Sequence, residues 1–261
     1  PLYSSAASDV YKRQLVHNAN WDDVTDVRIG CNAVSTASVQ MLLKYAQSFR
    51  SPVRIYQPDL NANAFKYPLM RKMFYDPACP ITSARIMWFD DDSYLTGIAD
   101  WWERMKQATE KATLAGALYT LNCGWRKGQT RGIHKQPWFT DMRIKPRPKF
   151  CTGGWWVADR EFLAKWDYPF KELIHNNGDV LLGELVNQQL KSLTKFREGV
   201  AINADDRGRE SMAQRRGATS LWPWQDGYAY NPDIHNFTAN VITLGATCSP
   251  TTSAGSTSVP I

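Results

Sequence analysis

Three consecutive aspartates, Asp90, Asp91 and Asp92, sit directly after the apolar run "RIMWF" (Arg85–Phe89). Carboxylates that close repel one another, and a hydrophobic strand has no need to end on them. Clustered carboxylates are hard oxygen ligands suited to Mn²⁺ or Mg²⁺, commonly completed by water and a substrate phosphate. Side chains alternate along an extended chain, so Asp90 and Asp92 can reach one point while Asp91 faces another way. The alternative is a charged turn in which Asp92 or Ser93 caps the next element. A second acid, Asp179, comes after "HNNG" and opens the helical pattern "DVLLGELVNQQLKSL". Val180, Leu182, Leu185, Val186, Leu190 and Leu193 give that pattern a broad apolar face. As an N-cap, Asp179 would stabilise the helix by about 1 kcal/mol, and a cap is also rigidly placed, as a general base must be. Glu184 lies further along the same pattern and points elsewhere on the helix.

The elements that must position these acids alternate along the chain. "VRIG" (Val27–Gly30) reads as a strand, and Val39, Leu42, Leu43, Ala46 and Phe49 then fall at helical spacing. "VRIY" (Val53–Tyr56) is the next strand, and a short helix begins after it at Pro68, since proline is tolerated in a first helical turn. "RIMWF" is uninterrupted and apolar, as in a strand buried on both faces of a parallel sheet. A helix over Gly97–Lys111, a strand over Leu114–Leu121, "GGWWVAD", a short helix through "REFLAKW" and a helix over Asp179–Leu193 complete the pass. This β-α-β alternation predicts an α/β domain over residues 15–245, with a mostly parallel sheet flanked by helices. Ligands of such sheets sit beyond the carboxyl ends of the strands, which is where the aspartates fall.

Composition narrows the classes. The chain has 261 residues, 43% of them hydrophobic, enough for one sizeable core. No apolar run approaches the length of a membrane span, and no stretch has the pattern of a secretion leader. The five cysteines are scattered, odd in number and without CxxC spacing, which predicts a reducing, cytoplasmic setting rather than a disulfide scaffold or zinc site. No feature calls for an obligate protein partner. The opening "PLYSSAASDVYKRQ" (residues 1–14) resembles translated adaptor sequence, and the Ser/Thr-rich residues 246–261 have little to bury and read as disordered.

The formal charge of +6 permits a polyanionic partner. Gly124–Phe150 carries eight lysines and arginines against Asp141 alone, a local excess of +7 that accounts for the whole surplus. Arg126, Lys127 and Arg131 could neutralise phosphates, and Trp138 could stack on an unpaired base. A solvated loop with its aromatics packed underneath explains the same pattern.

Five stretches in order carry a resemblance: "VRIGCNAVS", "KYPLMRKMF", "MWFDDDSYL", "TGGWWVADREFL" and "HNNGDVLLGELVNQQ". Together they resemble family 2-like glycosyltransferases of the GT-A (Rossmann-like) fold, in particular phage-associated members, over roughly residues 24–240. The resemblance implies that Asp92 and Asp90 bind the divalent metal bridging the diphosphate of a nucleotide sugar, such as a UDP-hexose, with Asp91 on metal or ribose. It implies His235 as a third metal ligand, where a lone histidine is more often structural or on the surface; the charged, glycine-punctuated stretch Asp205–Ser220 reads either as a loop closing Arg215 or Arg216 over the diphosphate or as a merely solvated loop. Gly153 and Gly154 would let backbone approach the sugar, or form a plain turn at the start of a strand. Trp155 and Trp156 would stack on the acceptor, with one of the pair needed for the core. Asp179 becomes the catalytic base, with inversion at the anomeric carbon, and Glu184 its understudy. The acceptor side falls on the basic stretch, and hydroxymethylated pyrimidine in phage DNA fits it, reached by flipping the base; the setting is then the host cytoplasm. A polysaccharide, lipid-linked or protein acceptor is the alternative. The chain departs from the family in leaving only about a dozen residues before "VRIG", so the first βα unit is expected to be missing. A metal-dependent nuclease also pairs aspartates with a basic surface, but does not explain "TGGWW" or "NNGDVLLGE". A non-catalytic DNA-binding module leaves the aspartates without purpose.

Overall fold

The computed structural model describes residues 18–31, 34–58, 66–90, 93–120, 133–140, 147–173, 178–202 and 237–245. Among these, strand β1 (Val27–Gly30) pairs in parallel with β2 (Val53–Pro58), and β2 pairs antiparallel with β9 (Ala239–Leu244). A second sheet has the order β3 (Arg85–Phe89), β6 (Lys149–Asp159), β5 (Leu114–Thr120), β7 (Leu193–Lys195). There β6 runs antiparallel to both β3 and β5, whereas β5 and β7 are parallel. A third, two-stranded antiparallel sheet joins β4 (Tyr94–Leu95) to β8 (Val200–Ala201). The α/β class is as the sequence predicts; the mostly parallel sheet is not. The reason is β6, which the stretch "GGWWVAD" alone suggests as one more parallel strand, but which runs for 11 residues against both neighbours.

Among the described residues five α-helices flank these sheets: α1 (Thr36–Ala46), α2 (Lys66–Phe74), α3 (Trp101–Thr109), α4 (Arg160–Lys165) and α5 (Gly178–Gln188). Their starts reflect local chemistry. The Ser35 hydroxyl accepts from the Ser38 amide at 3.1 Å to cap α1, and the Asp159 carboxylate accepts from the Phe162 amide at 2.8 Å to cap α4. Helix α2 begins two residues before Pro68, so the proline falls within the first turn, where its missing N–H costs nothing. Helix α5 ends at Gln188, short of the predicted Leu193, because Leu190 adopts a left-handed backbone (φ 52°). Leu190 is consequently 76% exposed and Leu193 belongs to β7.

Alternation along β6 divides the core. Trp155 packs on one face with Leu95, Trp101, Met105, Phe196 and Val200. Trp156 packs on the other with Tyr67, Met70, Leu163, Leu182 and Leu185, its ring stacked on Trp88 at 6.3 Å. A side-chain period of two makes this partition unavoidable. Each tryptophan removes roughly 150–250 Å² from water, or about 4–6 kcal/mol of transfer free energy. Strand β3 contributes alternately to the two clusters, Ile86 and Trp88 to one, Met87 and Phe89 to the other. It is nevertheless only half-buried along its length, because among the described residues it pairs with β6 alone. Helix α2 joins the two larger sheets: Leu69 and Met73 pack with Tyr56 of β2, while Tyr67 and Met70 enter the Trp156 cluster.

Among the described cysteines, Cys31 and Cys151 are buried thiols, whereas Cys79 is disulfide-bonded to a partner outside the described residues. That bond departs from the all-reduced expectation, which rested on spacing alone; cysteines far apart in sequence meet through the fold. No described helix is long and apolar enough to cross a membrane.

A candidate active site where three segments meet at Lys66

The end of β3, the middle of β6 and the start of α5 meet around one ammonium group. Lys66, the first residue of α2, donates from Nζ to Asp90 Oδ2 at 2.5 Å and to the Gly153 carbonyl at 2.9 Å. The same nitrogen lies 5.7 Å from the Trp88 ring centroid and 5.9 Å from that of Tyr67. The other oxygen of Asp90 accepts from Trp88 Nε1 at 2.7 Å, and its backbone amide donates to the Gly154 carbonyl at 2.8 Å. Asp90 is thus held at its main chain and at both carboxylate oxygens.

Gly153 carries the connection onward. Its amide donates to Asp179 Oδ2 at 3.2 Å, while Asp179 Oδ1 accepts from the Val180 amide at 2.9 Å. The Gly153 amide is available because β3 pairing ends at Phe89 with Trp155, and β5 shifts register between Gly116 and Leu118. An interrupted ladder leaves a backbone group to be satisfied elsewhere. A Cβ on Gly153 would lie 3.0 Å from Lys66 Nζ and 3.7 Å from Asp179 Oδ2. Glycine therefore lets backbone, ammonium and carboxylate approach one another. Gly153 and Gly154 lie inside β6, so the expected turn at the start of a strand is replaced by a close approach within it.

Asp179 stands at the N-terminal turn of α5. The start of that helix is seated on aromatic rings: a Cβ on Gly178 would fall 2.1 Å from the Tyr67 ring, and the Tyr168 hydroxyl donates to the Gly178 carbonyl at 3.2 Å. The residue keeps part of its surface exposed while its carboxyl sits deep among protein atoms. Burial pushes the Asp179 carboxyl above the ordinary carboxylate range, opposed by the Lys66 charge and by hydrogen bonds from the Val180 and Gly153 amides. The neighbouring Tyr67 and Tyr168 phenols and the Cys151 thiol are pushed well up by burial, so they stay uncharged.

The other predicted site residues separate into two groups. Glu184 is fully buried, and its Oε1 accepts from Gln188 Nε2 at 2.8 Å and Asn187 Nδ2 at 3.2 Å. Gln188 Oε1 in turn accepts from the Thr140 hydroxyl at 3.0 Å. Glu184 thereby ties α5 to the segment around Thr140, and a carboxylate so enclosed does not meet a substrate arriving from solvent. Trp155 (0% exposed), Trp156 (1%) and Trp138 (4%) are all core residues. The expectation that they stack on an acceptor is corrected: flat rings of that size are worth more to the core than to the surface. Of the basic stretch, Lys135, Arg147 and Lys149 are described and exposed. Asp91, Asp92, His235, Arg215, Arg216, Arg126, Lys127 and Arg131 lie outside the described residues.

Among the described residues no group of three or more His, Cys, Asp or Glu side chains could hold a metal ion. Asp90 fits that role poorly as it stands, because the Lys66 ammonium at 2.5 Å already pairs its charge and would repel a second cation there. Lys66 opens the stretch "KYPLMRKMF", but nothing in that stretch marks it as a site residue. Its partners are 24 and 87 residues away, and no spacing announces such a meeting. No protein family matches the chain, and no curated protein does so either.

Proposed function

We propose that the protein is a glycosyltransferase that moves a sugar from a nucleoside diphosphate, in this reading a UDP-hexose, to an acceptor hydroxyl with inversion. The observation that carries the reading is Asp179: a deep-set carboxyl with a raised pKa, fixed by two backbone amides and tethered through Gly153 and Lys66 to Asp90 at the end of β3. A carboxylate whose proton affinity is raised is a better general base near neutral pH, and a perturbed acid fixed by specific partners at a helix start is a candidate functional group.

In this mechanism an Asp179 oxygen accepts the proton of the acceptor hydroxyl. The acceptor oxygen then forms its bond to the anomeric carbon from the face opposite the diphosphate, and the anomeric C–O bond breaks, its electron pair leaving with the nucleoside diphosphate. The hydrogen bond from the Gly153 amide keeps Asp179 aimed, which converts binding into reactive orientation. A divalent ion, when bound, would stabilise negative charge on the departing diphosphate, with Asp92 as its ligand.

The acceptor we assign is hydroxymethylated pyrimidine in DNA. The surplus of cations over Gly124–Phe150 supports it, as does the exposure of Lys135, Arg147 and Lys149. Incubation with a panel of nucleotide sugars and either hydroxymethylated or unmodified DNA tests both parts. Sugar incorporation into the modified DNA alone, abolished by Asp179→Asn, is the expected result. Turnover of a donor with a saccharide, lipid or peptide acceptor would keep the enzyme class and remove DNA. Cleavage of the DNA backbone without sugar transfer would replace the reading with a nuclease.

A further inference from the structure

Among the described residues, Lys66 is the one side chain that touches both the strand-end carboxylate Asp90 and the backbone holding Asp179. Its ammonium is shared between the Asp90 carboxylate at 2.5 Å and the Gly153 carbonyl at 2.9 Å, with the Trp88 and Tyr67 ring centroids at 5.7 and 5.9 Å. The pair is largely enclosed, with Lys66 and Asp90 side chains 20% and 23% exposed. An ammonium so placed is fixed by charge, by a carbonyl dipole and by two aromatic faces at once. A metal ion on Asp90 would meet the full repulsion of that ammonium.

We propose that Lys66 is a positioning residue, the built-in cation that holds Gly153 against Asp179, and that Asp90 is its counter-ion rather than a metal ligand. This deepens the glycosyltransferase reading and rests on it for the role of Asp179. Among the described residues the titratable groups around Asp179 are Lys66, Tyr67, Tyr168 and Cys151, with Asp90 on the far side of Lys66. Burial keeps the phenols and the thiol neutral, so among the described residues the positive charge that favours ionised Asp179 comes from Lys66. Asp90 anchors that charge through Oδ2, while Trp88 occupies Oδ1 and fixes the carboxylate's rotation.

The test uses the full chain without donor, so it reads the site whether or not sugar is transferred. Carbon-13 NMR of the Asp179 carboxyl gives its titration midpoint in the parent protein and in Lys66→Met, Lys66→Arg and Asp90→Asn. Lys66→Met is expected to move the midpoint to higher pH, Lys66→Arg to restore it, and Asp90→Asn to move it to lower pH by removing the counter-charge. An unmoved midpoint in both Lys66→Met and Asp90→Asn overturns the positioning role, and if Lys66→Met does not fold, Asp90→Asn alone decides. Mn²⁺ affinity, measured by electron paramagnetic resonance, separates the second half. Asp90→Asn is expected to leave it within about threefold, whereas loss of even an outer-shell partner of a bound metal costs about 10–100-fold and loss of a ligand no less. A tenfold loss in Asp90→Asn overturns the counter-ion assignment. Absence of Mn²⁺ binding in every variant upholds it and removes the metal from the function instead. Failure of sugar transfer with the expected titration shifts leaves Lys66 as proposed and rejects the enzyme reading alone.

Discussion

The carboxylates at the two ends of the Lys66 bridge are held in opposite ways. Asp90 is gripped by side chains, the Lys66 ammonium and the Trp88 indole. Asp179 is gripped by main chain, the amides of Gly153 and Val180. Side-chain donors swing away at the cost of a few torsions, whereas backbone donors in a strand and a helix move only if the fold moves. Asp90 is therefore built to hold something, and Asp179 is built to stay aimed at something. Their helical neighbour Glu184, enclosed and bonded to amides of its own helix, shows a third arrangement, in which an acid serves only to join two segments.

The largest effect expected from breaking this contrast is that of Asp179→Asn. Transfer should fall by about 10³-fold, the scale of a lost general base. Stability should move the other way. A carboxyl whose folded pKa is raised stabilises the fold below its unfolded pKa, and that contribution is lost as pH rises through the folded pKa. At pH 7 to 8 the asparagine variant should melt no lower than the parent. A fall of several degrees in differential scanning calorimetry would make Asp179 a structural cap.

The same raised pKa predicts the acidic limb of the transfer rate. Asp179 must be deprotonated to act, so kcat/KM should climb with pH through a midpoint above the ordinary carboxylate range. A flat profile from pH 4.5 to 8 would remove it as the base.

Gly153→Ala sharpens the comparison with a smaller push. The new methyl would meet the far end of a flexible lysine at 3.0 Å, so the fold should survive while Lys66 and Asp179 are displaced. About tenfold in kcat/KM, with a melting temperature within a few degrees, is expected on the scale of an orientation defect. Parent-like activity would show that the close approach at Gly153 is unimportant. The smallest effect on activity belongs to Glu184→Gln. It should change transfer by less than about threefold while costing roughly 1–3 kcal/mol of stability in urea unfolding, the scale of a disturbed buried hydrogen bond. A hundredfold loss of transfer would exchange the roles of Glu184 and Asp179.

How far these relations were legible in the sequence depends on how local their causes are. Strands β1 and β3 fall on the predicted residues, because short apolar runs bounded by breakers need no distant partner to be recognised. Asp179 at the head of α5 was legible as an acid where a helical pattern starts, although the helix begins at Gly178 and takes Asp179 into its first turn rather than leaving it as the N-cap. The direction of β6 was not, since the period of a strand is the same whichever way its neighbours run. Nor were β7 and β9, whose pairing partners lie across the chain from them. Leu190 and Leu193 extend the apolar rhythm of α5, so only the left-handed turn at Leu190 reveals where the helix stops. The bridge from Asp90 through Lys66 and Gly153 to Asp179 is wholly tertiary and left no trace in spacing.

The adjacency of Trp155 and Trp156 has a consequence for how this protein can change. A slip of β6 by one residue against β3 would exchange the occupants of the two cores and turn the Gly153 amide away from Asp179 in the same stroke. Packing and chemistry in β6 share a single phase. Drift in register is therefore closed to this strand, and new specificity must be acquired by substitution there or by remodelling the loops around it.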